Sequence, residues 1–404
     1  MTLPHPRPAR RALLPLALAL ACAPVALPAF AQGLQTSFEP GEPAPQASKG
    51  GVQVKIGKGP DAPYAAKPGV GYSGLRALHY ASAGGTATTP LFTTDVTIDA
   101  DTTLSWLVLP EIVGDDTVAS TYVSLDLVLD DGSRVSASAA RDLHGIALGA
   151  KAQGDSKTLY PQQWAHKSVR LGDVEALRGR RVVAIELDLG SAANAPVSGW
   201  IDDVRLDSQP RTAPARPSDW VLTTRGTQAN GTFSRGNNFP ATAVPHGFNF
   251  WTPVTDAGAL NWLYRWNEQN NAANRPQLQA LALSHQPSPW MGDRQTFQVM
   301  PSATRGVPDA DRAKRALSFS RDNESARPYR YAVRFDNGIA AAIAPTDHAA
   351  LFQFDFPKDG DANLLFDNVD ARGGLSLDAA TQTLSGYTDT RSGLSNGATR
   401  MYVV

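Results

Sequence analysis

The stretch that decides this chain runs from residue 237 to residue 293 and carries two motifs, NNFPATAVPHGF at 237–248 and LSHQPSPWMGD at 283–293. Both motifs are rich in Pro, Gly, Asn and His and poor in helix formers, so they predict ordered, non-helical loops. Four tryptophans lie in or near the same stretch: Trp251, Trp262, Trp266 and Trp290. Polar loops with aromatic and amide side chains suit sugar rings, which present hydroxyls at their edges and apolar C–H faces.

Upstream of that stretch, residues 34–207 predict antiparallel β-structure. Short apolar runs are separated by Gly, Asp, Ser and Pro turns, and no long segment has the 3.6-residue period of a helix. DDGS at 130–133 predicts a hairpin turn, because Asp-Gly readily adopts positive φ angles. The apolar runs lie at 52–56, 75–80, 92–98, 104–109, 122–129, 169–171 and 182–189.

Residues 208–218, SQPRTAPARPS, predict a linker, because prolines cannot pair within a central strand and favour extended backbone. The units on either side are expected to fold separately. The unit at 219–404 is again strand-rich, with a hairpin turn at 336–338 and a short helix expected at 309–316. A final strand at 398–404 has no turn after it, so we expect this second sandwich to be truncated at its C-terminal end. The sequence therefore predicts an all-β chain of two tandem β-sandwich domains.

Charge and targeting signals narrow the class of protein. The formal net charge of -1 argues against a broad basic surface for nucleic acid or anionic membrane. Residues 1–31 predict a signal peptide, with a basic start, an apolar middle too short for a membrane span and Ala-Phe-Ala at 29–31. A retained anchor or lipidation at Cys22, the single cysteine, is the alternative. We expect a secreted or periplasmic protein cleaved near Ala31, without disulfides.

Two distant acidic segments suggest a metal site in the first unit. Glu39 follows Phe38, and Asp202 and Asp203 lie in GWIDDVRL near the end of the unit. The first and last strands of a jelly roll are neighbours, so these carboxylates can converge on calcium, which takes about six to eight oxygens. This pairing resembles the galactose-binding-like, jelly-roll carbohydrate-binding modules that hold structural calcium, and it implies Glu39 and Asp203 as ligands. The alternative is that the acidic residues cap strand ends in solvent.

Five aromatic residues of the first unit are candidates for sugar contact. Trp164 lies in the polar context YPQQWAHK, which suits an exposed platform. Core packing is the alternative for each of them, because aromatic residues in strands usually fill the core. The candidates are Trp106, Tyr122, Tyr160, Trp164 and Trp200.

The two motifs of the second unit together resemble the N-terminal β-sandwich domain of glycoside hydrolase family 92, the calcium-dependent exo-acting α-mannosidases. The first motif departs from the family pattern at Ala241 and Thr242, in place of a Gly-Ala pair, and at His246, in place of an aromatic residue. Segments 319–331 and 343–357 resemble later parts of the same domain. The resemblance covers residues 219–404.

The resemblance implies a set of substrate-binding residues in the second motif. They are His285, Gln286, Trp290 and Asp293, with Trp290 as the side chain expected to contact mannose. The alternative is a Pro-rich loop that only packs against a neighbouring domain. In the family, the catalytic acid, the base and the catalytic calcium ligands belong to a helical domain, which has no counterpart in residues 1–404.

The expected function follows from that resemblance. We expect the non-catalytic N-terminal portion of an exported inverting α-mannosidase that acts on mannose-containing glycans and has a helical catalytic domain as its partner. An inverting glycosidase needs two carboxyl groups about 6.5–9.5 Å apart, and the sequence pattern pairs none of its loop carboxylates. The stand-alone motif H-E-x-x-H is absent from the sequence. A secreted carbohydrate-binding protein without hydrolytic activity is the alternative, and a structural or adhesion module is a third possibility.

Overall fold

The computed structural model describes residues 33–190, 195–233, 236–284, 289–292, 296–391, 396 and 400–404. Regular structure in these residues is almost entirely β and forms five sheets, so the all-β prediction is confirmed. The predicted signal peptide and Cys22 lie outside the described residues. Among the described residues, no helix has both the length and the apolar character needed to cross a membrane.

The first unit is a two-sheet sandwich. One sheet has the order β2-β3-β9-β5-β7, with β1 paired to β9, and the other has the order β4-β8-β6. The strands are β1 (Leu34–Thr36), β2 (Val52–Gly57), β3 (Ala77–Ser82), β4 (Ala87–Thr97), β5 (Thr102–Pro110), β6 (Val123–Leu129), β7 (Ala165–Arg170), β8 (Arg181–Leu189) and β9 (Val197–Ser208). One short helix, α1 (Ala150–Ser156), and 3-10 turns at Ala119–Thr121, Val135–Ala137, Leu171–Asp173 and Glu175–Leu177 complete the unit.

Apolar side chains that alternate with more polar ones along the strands form the core of this sandwich. In β8, Val182, Ile185 and Leu187 are buried while intervening residues are more exposed, as expected when one face of a sheet is covered. They meet apolar side chains of the larger sheet, including Trp106 and Leu104, in one cluster. Pairing of β1 with β9 places the beginning and the end of the unit side by side, as the jelly-roll prediction required.

The second unit also buries its core between sheets. The sheet β10-β12-β13-β18 faces the sheet β11-β14-β15-β16-β17, and β19-β20-β21 form a third. A 3-10 turn at Pro217–Trp220 precedes these strands. They are β10 (Phe250–Val254), β11 (Gln277–Leu278), β12 (Ala280–Ser284), β13 (Phe297–Ser302), β14 (Leu317–Arg327), β15 (Arg330–Phe335), β16 (Ala340–Pro345), β17 (Ala350–Asp355), β18 (Asn363–Asp367), β19 (Gly373–Asp378), β20 (Thr383–Thr388) and β21 (Met401–Val403).

The two predicted hairpin turns have different outcomes. The turn at 336–338 joins β15 to β16, and Gly338 has the positive φ of 91° that this tight turn requires. The turn at 130–133 also forms, with Gly132 at φ 82°. The returning chain forms a single antiparallel bridge, Arg134 with Val128, before a 3-10 turn that buries Val135, and β6 pairs along its length with β8.

The helix expected at 309–316 is wrong. The segment contains a turn in which the Asp311 carboxylate accepts hydrogen bonds from the backbone N–H groups of Ala313 and Lys314. These bonds satisfy the backbone locally, and the chain enters β14 directly afterwards. The helix that does form, α1, was not predicted because seven residues are too few to show a helical period.

The two units contact each other at a junction in addition to the linker. The Asn274 side-chain amide of the second unit donates to the carbonyl oxygens of Gly71 (2.9 Å) and Gly74 (2.6 Å) in the first. Trp266 Nε1 donates to the Tyr72 hydroxyl at 2.7 Å. Lys67 Nζ donates to the carbonyl oxygen of Asn270 at 2.8 Å. Burial raises the pKa of Tyr72 to about 12, so its hydroxyl stays protonated in this junction.

Candidate functional site

The second motif occupies the connection between two neighbouring strands. It begins at the end of β12 and leads into β13, which lies next to β12 in the same sheet. Residues 289–292 of this connection are described. Of the predicted substrate-binding residues, His285, Gln286 and Asp293 lie outside the described residues, and Trp290 lies within them.

Trp290 presents an indole to solvent on a fixed support. Its side chain is 50% exposed, and its ring meets that of Trp262 edge to face, with ring centres 4.7 Å apart. Trp262 is only 7% exposed, and the Asn261 side-chain amide donates to the Trp290 carbonyl at 3.2 Å. Because the supporting indole is buried, the outer ring is held in place and offers an apolar face to a ligand.

The first motif packs against the same sheet. Thr242 forms an antiparallel bridge with Trp251 in β10, and Phe239 is buried in the core of the unit. The Thr242 hydroxyl donates to the carbonyl oxygen of Arg327 at 3.0 Å, so this departure from the family pattern is accommodated by a hydrogen bond. At the end of the motif, Phe248 is exposed and stacks on His348, with ring centres 4.5 Å apart.

A buried ion pair stabilises the interior near these motifs. The Glu324 carboxylate accepts hydrogen bonds from the hydroxyls of Tyr264 (2.8 Å) and Tyr331 (2.9 Å) and from Arg321. Burial raises the pKa of both phenols well above the usual value, so they remain donors. The Arg321 guanidinium also lies 3.9 Å from the centre of the Trp266 ring. With three donors around it, Glu324 has a structural role.

The outer part of the second unit carries exposed apolar side chains. In β17, half-buried Phe352 and Phe354 alternate with exposed neighbours, and Leu351 is 73% exposed. Strands β18 to β21 also carry exposed apolar side chains, and we call the whole set the apolar face. Its most exposed members are Leu351, Leu364, Phe366, Leu375, Leu377 and Tyr402. The alternation in ALFQFD indicated a strand, but it did not indicate that both sides would carry apolar residues.

The predicted metal ligands of the first unit reach the same loop, at 71–76. Glu39 Oε1 accepts hydrogen bonds from the backbone N–H groups of Leu75 (2.6 Å) and Arg76 (2.8 Å). Asp203 Oδ2 accepts a hydrogen bond from the Ser73 hydroxyl at 2.7 Å. Asp202 is fully buried, and burial, followed by the charge of Asp203, raises its pKa well above the usual range. Carboxylates from both ends of the unit therefore surround one loop.

The oxygen types in this cluster suit calcium, but the side chains alone are too few. Calcium takes about six to eight oxygens. The described residues contain no group of three or more His, Cys, Asp or Glu side chains arranged to hold a metal ion. Backbone carbonyls would have to complete the site, and those of Gly71 and Gly74 already accept hydrogen bonds from Asn274.

The aromatic candidates of the first unit separate by burial. Trp106 and Trp164 are buried, as the core alternative predicts. Trp200 is half-buried, and its Nε1 donates to the Glu111 carboxylate at 2.7 Å. Tyr122 and Tyr160 instead line an open groove.

Comparison with known families identifies the second unit. The model of the glycosyl hydrolase family 92 N-terminal domain matches residues 220–404. This part of the chain is a family 92 N-terminal domain. The match extends from the 3-10 turn that follows the linker through β21, and it includes both motifs and Trp290. The family assignment therefore applies to residues 220–404.

Individual relatives cover parts of the chain. An uncharacterized secreted glycosidase of Arthroderma benhamiae is 31% identical over 135 residues, which are 32% of this chain and 17% of the relative. The family GH92 inverting mannosidase of Bacteroides thetaiotaomicron is 31% identical, with a TM-score of 0.40, over 44% of this chain and 23% of that chain. A family 30 carbohydrate-binding module of a Clostridium thermocellum cellulase is 12% identical, with a TM-score of 0.24, over 45% of this chain and 94% of that chain. The chain thus spans less than a quarter of either glycosidase.

Proposed function

We propose that this chain forms the N-terminal β-portion of an exported, inverting α-mannosidase that acts on mannose-containing glycans. The observation that carries the proposal is the match of residues 220–404 to the family 92 N-terminal domain. The secreted glycosidase of Arthroderma benhamiae, which shares sequence with this chain, supports export. In this proposal, the chemical step belongs to a helical catalytic domain, and the β-portion shapes the pocket.

Within that pocket, Trp290 is the proposed sugar platform. Its exposed indole rests on buried Trp262, and a fixed aromatic face loses little conformational entropy when a pyranose stacks on it. His285, Gln286 and Asp293 remain the proposed hydrogen-bonding partners for the sugar hydroxyls.

The apolar face is the proposed contact with the helical domain. Contiguous exposed apolar surface above a few hundred Å² marks interaction sites in soluble proteins. Leu351, Leu377 and Tyr402 are each well exposed, on β17, β19 and β21 of this unit. Covering them with a catalytic domain would remove apolar side chains from water.

Calcium is the proposed structural metal of the first unit. Glu39 and Asp203 would hold it together with carbonyl oxygens of the 71–76 loop, and the hydrogen bonds of Asn274 to two of those carbonyls would have to be replaced. When bound, the ion would neutralise a cluster of carboxylates. The Glu39 and Asp203 side chains would then fix the loop against both ends of the unit.

The test combines genomic sequence with activity. Sequencing the DNA downstream of residue 404 should show, in frame or in an adjacent frame, a helical domain with paired carboxylates. The complete product should hydrolyse an aryl α-mannoside, and Trp290→Ala should reduce kcat/KM by about tenfold or more. Trp220→Ala, which removes an exposed indole elsewhere, is the matched control. A terminator followed by an unrelated gene would instead favour a secreted carbohydrate-binding protein without hydrolytic activity.

A further inference from the structure

A groove of about 580 Å³ lies on the first unit and takes no part in the pocket proposed above. The loop before β6 and the segment from the end of α1 form most of its wall, and Tyr64, Tyr122 and Tyr160 are among its lining residues. Tyr64 is 38% exposed and Tyr160 is 45% exposed. The two exposed rings are neighbours, with centres 6.4 Å apart, and exposed tyrosines in a depression can offer ring faces to a ligand instead of filling a core.

The second unit contributes a further ring beside this groove. Phe233 stacks on Tyr64, with ring centres 4.8 Å apart and planes 15° from parallel, and its centre lies 5.3 Å from that of Tyr160. Asn230 positions Phe233, because its side-chain oxygen accepts a hydrogen bond from the Phe233 backbone N–H at 2.9 Å. We call Tyr64, Tyr160 and Phe233 the seam cluster. Its geometry depends on both units.

The walls of the groove are held by the backbone. The Tyr64 N–H donates to the carbonyl of Gln162 at 2.6 Å, and the Gln162 N–H donates to the carbonyl of Pro110 at 2.7 Å. The Tyr122 ring lies against Gly154, where a Cβ atom would come within 2.4 Å of the ring. Such a site is largely formed before a ligand arrives, which lowers the entropic cost of binding.

Polar groups near the rings point to the chemistry of the ligand. The Tyr122 hydroxyl donates to Asp155 Oδ1 at 3.0 Å, and Lys157 lines the groove with an exposed side chain. A carboxylate and an ammonium group together favour neither an anion nor a cation. Instead, the carboxylate can accept a hydrogen bond from a hydroxyl group, and the ammonium group can donate one to a hydroxyl oxygen. A neutral, polyhydroxylated ligand with apolar ring faces matches this combination.

We propose that this groove is a glycan-binding site of the chain, with Tyr160 as the stacking platform and Phe233 as the residue that completes it across the junction. The site is separate from the Trp290 pocket and takes a neutral oligosaccharide. The groove proposal does not depend on the mannosidase proposal. The proposed function is used only to choose mannose-containing glycans as the first ligands to test.

Calorimetric titration of the full chain tests the site. The ligands are α-mannobiose and a longer α-mannan oligosaccharide, with cello-, xylo- and β-mannan oligosaccharides alongside. Tyr160→Ala and Phe233→Ala should each weaken binding by about tenfold or more, because a stacked ring is lost or misplaced. Tyr160→Phe, which keeps the ring, should retain most of the affinity.

Two controls accompany the titration. Trp220→Ala, which removes an exposed indole that does not line the groove, should leave the binding unchanged, and melting curves must show that each variant is folded. Failure of the mannosidase proposal would appear in the activity of the complete enzyme and would leave this titration unaffected. The groove proposal is overturned if the wild-type chain binds none of the oligosaccharides, or if folded Tyr160→Ala and Phe233→Ala variants bind as tightly as wild type.

Discussion

At the scale of single residues, the paired indoles Trp262 and Trp290 are expected to have different roles, Trp262 in stability and Trp290 in ligand binding. Trp262 fills space in the second unit, and Trp290 covers it from the solvent side. We expect Trp262→Ala to lower the free energy of unfolding by about 3 kcal/mol, because it leaves a cavity. Trp290→Ala should cost about 1 kcal/mol or less. Urea denaturation followed by circular dichroism measures both, and equal losses would contradict this division.

A second residue-scale prediction concerns Lys167, which is buried in the first unit and pairs with buried Asp142 at 3.0 Å. Burial lowers the pKa of Lys167. At Asp142, burial alone would raise the pKa, but hydrogen bonds and the charge of Lys167 outweigh it, so the pKa of Asp142 lies below its usual value. Lys167→Met would leave the carboxylate buried without its counter-charge. We expect a loss of about 3–5 kcal/mol in the free energy of unfolding.

The double variant Lys167→Met with Asp142→Leu serves as the partner experiment, because replacing both charges removes the uncompensated carboxylate. It should recover much of the stability lost in the single variant. Lys151→Met is the matched control, since Lys151 pairs with Asp155 at the surface. Its denaturation midpoint should match that of wild type. A Lys167→Met midpoint equal to that of Lys151→Met would rule out an energetic role for the buried pair.

At the scale of elements, calcium should stabilise the first unit through β1 and β9. A ligand that binds only the folded state adds about 2.7 kcal/mol at a hundredfold excess over its Kd. We therefore expect the melting temperature of the chain to rise with calcium and to fall with a chelator, and Asp203→Asn to abolish the difference. Asp207→Asn, which alters a carboxylate paired with Arg205, is the control. An unchanged calcium response in Asp203→Asn would favour the strand-capping alternative.

Strands and turns were predicted best from the sequence where residues close together in the chain determine them. Alternating apolar residues located β5, β6 and β8, and Asp-Asn-Gly located the turn before β16. The helix expected at 309–316 is wrong because the Asp311 carboxylate satisfies the turn there. The DDGS turn forms, but its continuation depends on burial of Val135 in a core built from distant strands. Short-range patterns cannot contain such information.

The candidate sites also differ in whether a sequence pattern or long-range packing brings their residues together. Convergence of Glu39 and Asp203 on one loop followed from the adjacency of first and last strands, which is a rule of topology. Trp290 was predicted from its motif. The seam cluster was not predicted, because Tyr64 and Phe233 are far apart in sequence and no local signal links them. Asn274 was missed for the same reason.

At the scale of the whole molecule, we expect residues 33–404 alone not to hydrolyse α-mannosides. The family resemblance assigns the catalytic acid and base to a helical domain, and each proton transfer contributes about 10²–10⁴-fold to such reactions. Incubation of this polypeptide with an aryl α-mannoside and with α-mannobiose, in the presence of calcium, measures the rate. Turnover well above the blank by a pure sample would show that this portion contains its own catalytic groups.

The junction formed by Asn274, Trp266 and Lys67 can hold the two units together after the linker between them is cut. The linker between the units is largely exposed and rich in proline, so a protease is expected to reach it before it reaches the sandwiches. If the junction supplies the attachment, a chain nicked between residues 208 and 218 will still elute as one particle under native conditions and will separate into two fragments only in denaturant. The peptide connection then serves mainly to bring the halves together during folding.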